Sequence, residues 1–290
     1  MVCVTNHVTD IDTGPTTLRT VAEGLAAEAA DYVRRRRVEV FAAGAVRDGS
    51  AVRSKTTPTD PVTIVDTETE RLLRERLAAT RPGESVLGEE EGGALLGEPG
   101  RPQWVLDPID GTVNFVYGVE AAYAVSVGVQ VDGVTVAGAV ANVTNGEVFS
   151  AARGHGATVR RGEEVTPLRC TPLDELAMAL VGTGFSYDPQ RRVAQAEVLA
   201  RVLADIRDVR RIGSCALDLC MVAAGRLDAY YEDGVHVWDW AAGALVAEEA
   251  GAVLTLPPVD GSGGEFIAAA APGIAADLAA VLRAAGAPLP

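Results

Sequence analysis

The chain has 290 residues, of which 48% are hydrophobic and 5% are aromatic. This is enough apolar material for a large, mostly aliphatic core, so extended disorder is excluded. Lysine plus arginine number 25 and aspartate plus glutamate number 40, which gives a formal net charge of −15. Such a charge opposes sequence-independent binding to nucleic acid or to an anionic membrane. An anionic substrate would therefore need a cation at its binding site.

The cysteines and the start of the chain indicate a compartment. The four cysteines form no CxxC pair and have no zinc-site spacing, so we interpret them as reduced, buried thiols. The first residues lack the basic start and the apolar core of a secretory signal, and no apolar stretch reaches the roughly 20 residues of a membrane span. We therefore expect a cytoplasmic protein in which residues 1–15 form a disordered tail.

The first predicted element is an amphipathic helix. Apolar residues recur at helical spacing from Leu18 to Val33, with Thr16 or Thr17 as the cap. Arg34 to Arg37 would lie at the C-terminal end, where cations complement the helix dipole. This run could contact RNA or a partner, but a solvated helix end is the simpler interpretation.

A second helix is predicted after a polar segment. The residues from Asp48 to Pro61 are polar and contain prolines, which predicts a mobile loop or a hairpin tip. Thr67 and Glu70 match a capping box, and the leucines that follow continue a helical pattern. Asp66 would then lie at the mouth of this helix, where a carboxylate can interact with the dipole.

The remaining pattern divides the chain into two lobes. From Tyr123 to Val159 apolar residues alternate with period two, and Asp132-Gly133 and Asn145-Gly146 supply hairpin turns, so we expect antiparallel sheet. Helical and strand patterns then alternate to the last residue. We therefore expect an N-terminal α+β lobe over residues 16–150 and a C-terminal α/β lobe over residues 151–290.

The motif DPIDGT, residues 107–112, directly follows an apolar strand. Its proline fixes one backbone torsion and its glycine frees another, so Asp107, Asp110 and the Ile109 carbonyl can point into one pocket. Hard divalent cations, magnesium above all, prefer such oxygens, and the motif offers no imidazole or thiolate that would favour zinc. The alternative is a tight turn with solvated aspartates.

Other acids occupy comparable places in the pattern. Glu89 and Glu90 end a predicted strand, Asp239 lies at a predicted helix start, and Asp66 opens another helix. Each alone is an ordinary surface acid or dipole partner. Together with the DPIDGT motif they indicate a shared pocket.

In these motifs the chain resembles the inositol monophosphatase family of magnesium-dependent, lithium-sensitive phosphatases, whose signatures are GEE, WxxDPIDGTxNF and WDxAAG. Here they read GEEEGG, WVLDPIDGTVNF and WDWAAG, in family order, and the resemblance runs from about Leu18 to the last helix. It implies an α+β fold, namely a layered αβαβα sandwich of the inositol monophosphatase and fructose-1,6-bisphosphatase type. It also implies a homodimer.

The resemblance implies a site for two or three Mg²⁺ ions. The ligands of the first ion would be Glu89, Asp107 and the Ile109 carbonyl. Those of the second would be Asp107, Asp110 and Asp239. Such a pair of ions can clamp the attacking and leaving oxygens of a phosphoryl transfer, and it would supply the local positive charge that this acidic protein otherwise lacks.

The resemblance also assigns roles around the nucleophile. Asp66 and Thr112 would position and deprotonate a metal-bound water, and Glu90 would support it. The backbone N–H groups of Gly111 and Thr112 would hold phosphate oxygens. The rival nucleophile is Cys215, but no base is adjacent to it in the sequence, so we interpret it as a structural thiol.

On the alcohol side, Glu232 resembles the family residue that accepts hydrogen bonds from ring hydroxyls. Gly213, Ser214 and Cys215 match the loop that approaches the ring, although the family more often has alanine in place of Cys215. Arg210 could contact the substrate or belong to a solvated basic turn. The residues implied to contact the substrate are Ile109, Asp110, Gly111, Thr112, Arg210, Gly213, Ser214, Cys215, Glu232 and Asp239.

The implied activity is magnesium-dependent hydrolysis of myo-inositol 1-phosphate to inositol and phosphate. The motifs indicate metal and phosphate binding more than the identity of the alcohol group. Fructose 1,6-bisphosphate, histidinol phosphate and nucleotide phosphates are therefore alternative substrates for the same chemistry. A different class of function is a non-catalytic, partner-binding role in a transcription complex. Its expected contacts are Arg34 to Arg37 and Arg191-Arg192.

Overall fold

The computed structural model describes residues 12–41, 52–55, 61–119, 122–258 and 265–290. The helices are α1 (Pro15–Phe41), α2 (Ile64–Thr80), α3 (Thr112–Tyr117), α4 (Pro189–Val202), α5 (Cys215–Ala223), α6 (Val237–Glu249) and α7 (Ala275–Ala285). The strands are β1 (Val52–Ser54), β2 (Pro61–Thr63), β3 (Ser85–Gly88), β4 (Gln103–Asp110), β5 (Ala124–Val131), β6 (Val134–Asn142), β7 (Val148–Ala152), β8 (Ala157–Arg161), β9 (Glu164–Pro167), β10 (Leu180–Thr183), β11 (Asp208–Arg210), β12 (Ala229–Asp233), β13 (Val253–Thr255) and β14 (Phe266–Ala270). No helix in these ranges has the length and apolar character needed to cross a membrane.

The larger sheet has seven strands in the order β3-β4-β5-β6-β7-β8-β9. Neighbouring strands are antiparallel except β3 and β4, which are parallel. Helix α1 packs on one face, against β5, β6 and β7, and α2 packs against α1 and β4. The buried side of α1 includes Leu18, Leu25 and Val33, so the predicted amphipathic face is confirmed.

The smaller sheet has five strands in the order β11-β10-β12-β14-β13. Strand β10 is parallel to β11 and β12, whereas β14 is antiparallel to both its neighbours. Helices α5 and α6 lie between the two sheets, and α4 and α7 pack together beyond the smaller one. The layers are therefore helix, sheet, helix, sheet and helix, which confirms the predicted αβαβα sandwich.

Two glycines bring α6 close to the larger sheet. A Cβ atom on Gly138 would lie 2.9 Å from the Cα of Ala242, and one on Gly128 would lie 3.1 Å from the Cβ of Ala241. Larger side chains at these positions would hold the helix away from the strands. The small residues of WDWAAG thus seat the start of α6, which carries Asp239, directly on β5 and β6.

The predicted boundaries of α1 were wrong at both ends. The helix begins at Pro15, before the expected threonine cap, and it continues to Phe41, so Arg34 to Arg37 precede its last turn. The extension occurs because Val40 and Phe41 still pack against the apolar cluster under the sheet. Of the predicted tail, residues 1–11 lie outside the described residues.

The predicted cap of α2 was also wrong. The helix begins at Ile64, with Thr63 as the N-cap and Asp66 as the third helical residue of a capping box. The Thr63 N–H donates to Asp66 Oδ2 at 2.9 Å, and the Val65 N–H donates to Thr63 Oγ1 at 3.1 Å. Asp66 therefore lies inside the first turn, where the cap fixes its carboxylate.

The boundary predicted near residue 150 falls inside β7, since the larger sheet continues through β9 to Pro167. The alternation of helices and strands begins only after that residue. Near the start of the chain, β1 and β2 pair as antiparallel strands, with Val52 opposite Thr63. This agrees with the hairpin alternative for the polar segment, whose residues 48–51 and 56–60 are outside the described ranges.

Candidate active site

Three aspartates converge where the end of β4 meets the start of α6. One carboxylate oxygen from each of Asp107, Asp110 and Asp239 lies within 4.8 Å of the others. Asp107 and Asp110 are three residues apart and would point to opposite faces of a regular strand. The pairing of β4 with β5 shifts register between them, and this irregularity lets both carboxylates face the same cavity. Gly111 follows with a φ of 93°, as the motif predicted.

The cluster is crowded with negative charge. Burial raises the pKa of Asp107 and that of Asp239 well above the ordinary value, and the neighbouring carboxylates raise both further. Burial likewise raises the pKa of Asp110 to about 7, although hydrogen bonds from Ser214 and Ala216 oppose the shift. Buried like charges of this kind need a counter-ion or must take up protons. An all-oxygen donor set fits a hard divalent cation such as Mg²⁺.

Glu89 and Glu90 join this cluster from the end of β3. The Nζ atom of Lys55 lies 2.7 Å from Glu89 Oε1 and 2.5 Å from Glu90 Oε1. Behind them the fully buried Glu70 accepts hydrogen bonds from the backbone N–H groups of Glu90, at 2.7 Å, and of Glu91, at 3.0 Å. Glu70 therefore fixes the turn that presents Glu89. Lys55, the only lysine of the chain, supplies a cation here.

Asp66 and Thr112 form a second polar group on the wall of the cavity. Thr112 Oγ1 lies 3.1 Å from Asp66 Oδ1 and 3.0 Å from the Ile109 carbonyl oxygen, so its single proton can go to either acceptor. Asp66 is fully buried. Burial raises the pKa of Asp66 to about 7, and the charges of Glu89 and Glu90 add to the effect. A carboxylate with this pKa can take or release a proton near neutral pH.

Ser214 joins the C-terminal half of the chain to the cluster. Its hydroxyl donates to Asp110 Oδ2 at 2.6 Å, and the Ala216 N–H donates to the same oxygen at 2.7 Å. Ser214 is also the N-cap of α5, since its Oγ accepts a hydrogen bond from the Leu217 N–H at 3.3 Å. Ser214 therefore orients the Asp110 carboxylate.

A cleft with a volume of about 420 Å³ opens beside the cluster. It adjoins a smaller cavity of about 70 Å³ around Glu89 and Asp107, since Asp110, Gly111 and Asp239 line both. The larger space therefore offers room for the remainder of a molecule whose anionic end enters the smaller one. Its other lining residues are Phe185, Ser186, Tyr187, Asp188, Arg191, Arg211, Gly213, Cys215, Glu232, Gly234, Val235, His236 and Glu265.

Glu232 and Cys215 lie on the wall of this cleft. Tyr230 donates a hydrogen bond from its hydroxyl to Glu232 Oε2, which fixes the carboxylate at the end of β12. Burial raises the pKa of the Cys215 thiol well above its ordinary value, and the nearby carboxylates raise it further. A thiol in this environment stays protonated and is a poor nucleophile, so we interpret Cys215 as a packing residue.

Two features of the cleft differ from the sequence-based expectation. Arg210 is exposed and does not line the cleft, because it hydrogen-bonds to Asp208 Oδ2 at 2.6 Å and to the Val209 carbonyl at 2.8 Å. The neighbouring Arg211 lines the cleft instead. The sequence reasoning also missed Tyr187, and it named Arg191 only as an expected partner contact, not as part of the cleft. Arg211 could have been predicted, because it is close in sequence to the loop of Gly213, Ser214 and Cys215. Tyr187 and Arg191 come from a segment without a motif.

The arginine run on α1 is largely engaged within the fold. The Arg34 Nε–H donates to the Val143 carbonyl at 2.9 Å, and Arg36 binds Glu68 at 2.8 Å. Arg37 donates to the Phe115 carbonyl at 2.9 Å and packs over the ring of Phe41. These side chains tie α1 to its neighbours and are less available to a partner than their sequence suggests.

The layers and the site together define an αβαβα protein with a buried acidic cluster where its two sheet systems meet. The chain belongs to the inositol monophosphatase family, whose model matches residues 15–286. An inositol-1-monophosphatase of Mycobacterium tuberculosis, SuhB, is 63% identical over 279 residues, which cover 94% of this chain and 95% of that protein. The solved structure of Mycobacterium tuberculosis SuhB aligns with a TM-score of 0.81 and 57% identity, over 95% of this chain and 99% of the other.

A further relative carries a different name. The Nus factor SuhB of Pasteurella multocida is 40% identical over 196 residues, which cover 67% of this chain and 71% of that protein. Membership of the family implies a phosphatase that acts on a small-molecule phosphate ester.

Proposed function

We propose that the chain is a magnesium-dependent phosphomonoesterase that hydrolyses myo-inositol 1-phosphate to inositol and phosphate. The observation that carries the proposal is the convergence of Asp107, Asp110 and Asp239 within 4.8 Å at the base of a cleft. The cleft also presents a fixed glutamate, Glu232, to whatever fills it. A cation site and a hydroxyl acceptor are what an inositol phosphate needs.

Two or three Mg²⁺ ions would be held by Glu89, Asp107, the Ile109 carbonyl, Asp110 and Asp239. When bound, divalent cations neutralise charge on phosphoryl oxygens and make water more acidic. The crowding of these carboxylates and the raised pKa values of Asp107, Asp110 and Asp239 support this assignment, since cations would relieve the repulsion. The protein contributes the fixed oxygen array, with Ser214 and the Ala216 N–H orienting Asp110.

Asp66 and Thr112 would handle the proton of the attacking water. The Thr112 hydroxyl lies between the Asp66 carboxylate and the Ile109 carbonyl, so it can accept a hydrogen bond from water while donating its own proton. Asp66 would receive the proton, helped by its raised pKa. Glu90 would act indirectly, through its charge and its contact with Lys55. The backbone N–H groups of Gly111 and Thr112 would bind phosphate oxygens.

The alcohol half would lie against Glu232 and the loop of Gly213, Ser214 and Cys215. Other esters with the same phosphoryl group, such as fructose 1,6-bisphosphate, histidinol phosphate or a nucleotide phosphate, would meet the same cluster. Phosphate release from each ester, with magnesium, with chelator and with added lithium, separates them. We expect magnesium-dependent, lithium-inhibited turnover with the highest kcat/KM on inositol 1-phosphate. A higher kcat/KM on another ester would show that this ester is the preferred substrate, and the proposed mechanism would still stand.

A second candidate function is partner binding in a transcription complex. We further propose that the protein is cytoplasmic and forms a homodimer. The observation that favours partner binding is the similarity to proteins named Nus factor SuhB. The engaged arginines of α1 weaken the expected contact surface. Pull-down from lysate with wild type and with an Arg35→Ala, Arg192→Ala variant tests it, and sedimentation equilibrium tests the dimer. Capture of transcription proteins by wild type alone would support this role.

A further inference from the structure

The proposed reaction gives no role to a buried acid behind the acidic cluster. Glu70 lies on α2, four residues after Asp66 and on the same face of the helix, and both side chains are fully buried. The sequence pattern assigned Glu70 to a helix cap, but Thr63 and Asp66 form that cap. The Glu70 carboxylate therefore has another function.

This carboxylate binds the turn of residues 89–91, which follows β3. The Glu90 N–H donates to Glu70 Oε2 at 2.7 Å, and the Glu91 N–H donates to Glu70 Oε1 at 3.0 Å. Hydrogen bonds from backbone amides to an ionised carboxylate are among the stronger ones in proteins. The Glu90 nitrogen belongs to the peptide group that links it to Glu89, a proposed magnesium ligand. The contact therefore sets the direction in which the Glu89 side chain leaves the backbone.

Glycine at position 88 makes the contact possible. A Cβ atom on Gly88 would lie 2.6 Å from Glu70 Oε2 and closer still to Oε1 and to the carboxyl carbon. Any larger residue would push the carboxylate away from the turn. Gly88 and Gly92 also exchange backbone hydrogen bonds at 3.1 Å, which closes the turn. The glycine of the GEE motif thus admits an acid from α2 beneath the two glutamates.

Arg74 compensates the buried charge of Glu70. Its Nε–H donates to Glu70 Oε1 at 2.8 Å, and its Nη2 donates to the Gly92 carbonyl oxygen at 2.6 Å. A buried carboxylate is tolerated when a cation and further hydrogen bonds satisfy its oxygens, as they do here. Glu70 can therefore hold the turn in place before any metal ion binds.

We propose that Glu70 is a positioning residue for magnesium, which holds the turn of residues 89–91 in the geometry that a metal ligand requires. Asp66 lies one helical turn earlier on α2, so this one helix sets both the metal side and the water side of the site. The inference rests on the proposed function. It adds to the site a residue that acts through Glu89 without itself touching metal or substrate.

The variant Glu70→Gln changes this contact at one atom. Arg74 and the Glu91 N–H both donate to Oε1, so we expect the amide oxygen of the glutamine at that position. The amide nitrogen then replaces Oε2, where it cannot accept a hydrogen bond from the Glu90 N–H. The variant thus keeps the shape of the side chain and removes the hydrogen bond next to Glu89.

Titration calorimetry of the whole protein with magnesium tests the proposal. Glu70→Gln should raise the Kd of at least one magnesium-binding step by about 10- to 100-fold, as is usual when a group that orients a metal ligand is removed. Turnover of inositol 1-phosphate should need correspondingly more magnesium, while kcat at saturating magnesium should fall by less than about 3-fold. Glu75→Gln, a change at an exposed position of α2, is the matched control and should alter neither value.

Hydrogen exchange of backbone amides in chelator gives a readout without metal. In wild type the Glu90 amide should exchange more slowly than an unprotected peptide amide. In Glu70→Gln it should exchange about 2- to 10-fold faster than in wild type, which is the contribution of one hydrogen bond. The Glu91 amide keeps its acceptor and should change less. Equal exchange of the Glu90 amide in both proteins would contradict the contact.

Two further results would overturn the inference and leave the proposed function standing. One is an equal magnesium Kd for Glu70→Gln and wild type. The other is a loss of kcat that excess magnesium does not restore, which would place the effect in the fold or in the chemical step. If Glu70→Gln does not fold, Gly88→Ala takes its place with the same expected and contradicting values, because its Cβ displaces the carboxylate.

The proposed function can fail separately. Magnesium binding by wild type without turnover of any ester would contradict the proposed function, and the Kd of Glu70→Gln would still decide the role of Glu70. If wild type bound no magnesium, the proposed metal site and the inference would both be wrong.

Discussion

At the scale of single residues, the acidic cluster sets function against stability. Asp107 is buried among Glu89, Asp110 and Asp239, and each of these charges raises its pKa. Without a cation the folded state must either hold these charges together or protonate them. The cluster is thus a cost to folding that bound cations would remove, which ties the metal site to the stability of the whole chain.

We therefore predict that Asp107→Asn raises the melting temperature in chelator at pH 8, because one repelling charge is lost. The same variant should lose most of the stabilisation that magnesium gives to wild type. Differential scanning calorimetry with and without magnesium measures both. Asp174→Asn, which removes an exposed acid outside the cluster, is the control. A variant that magnesium stabilises as much as wild type would show that Asp107 is not a ligand.

Ser214 gives a second residue-scale prediction. Ser214→Ala removes the donor at 2.6 Å from Asp110 and the cap of α5 together. Loss of such a cap costs about 1 kcal/mol of stability. The misplaced Asp110 should also lower kcat, whereas Ser214→Thr, which keeps the hydroxyl, should retain most activity. Urea unfolding and phosphate release report the two effects, and equal kcat for the alanine and threonine variants would contradict the positioning role.

At the scale of elements, the packing of α6 on β5 and β6 decides where Asp239 lies. Gly138→Ala would place a Cβ atom 2.9 Å from the Ala242 Cα and push the helix off the sheet. We expect a loss of about 1–3 kcal/mol, as for other overpacked cores. Gly24→Ala is the matched control, because a Cβ there meets nothing within 4 Å on an exposed helix face. That change should stabilise α1 by about 0.5–1 kcal/mol.

Chemical denaturation of both glycine variants tests this contrast, and equal effects would mean that close approach of α6 is unimportant.

The same elements show what a sequence can predict. Periodicity located α1, the sheet meander and the start of α6, because each depends on local pattern. The cap of α2 was misplaced because Thr63 and Asp66 form the same motif one turn before Thr67 and Glu70, and only tertiary contacts choose between them.

In the candidate site, too, the sequence predicted the local features and not the contacts between distant residues. The DPIDGT motif identified Asp107 and Asp110 because their chemistry is local. The hydrogen bond from Ser214 to Asp110 spans 104 positions along the chain, so no local pattern could reveal it. Arg210 was predicted in the cleft and Arg211 lies there for the same reason. Arg210 is held outside the cleft by its hydrogen bond to Asp208, and the sequence pattern does not show that contact.

At the scale of the whole molecule, Glu147 joins separate layers. Its carboxylate accepts from Arg226, which follows α5, at 2.6 Å and from Arg161 on β8 at 2.6 Å. Hydrogen bonds from Arg226 and Arg161 lower the pKa of Glu147 to about 2, against the opposing effect of burial. Because the folded pKa lies below the unfolded one, the stabilisation is complete above about pH 5 and is lost as the pH falls toward 2.

Glu147→Gln should therefore destabilise the protein by about 1–2 kcal/mol at pH 7, after allowance for partly exposed arginines. The difference from wild type should shrink steadily between pH 5 and pH 3. Urea unfolding at a series of pH values measures it. Glu163→Gln, a change on an exposed turn, is the control. A penalty that does not depend on pH would show that packing, and not charge, makes Glu147 matter.

The most direct test of the central claim is phosphate release from myo-inositol 1-phosphate by wild type and by Asp107→Asn, each with magnesium and with chelator. Far-ultraviolet circular dichroism of both proteins establishes that they are folded. We predict turnover by wild type only with magnesium, and a loss of at least about 1,000-fold in the folded variant. Turnover by Asp107→Asn at the wild-type rate, or turnover by wild type in chelator, would contradict a metal-dependent phosphatase built on this cluster.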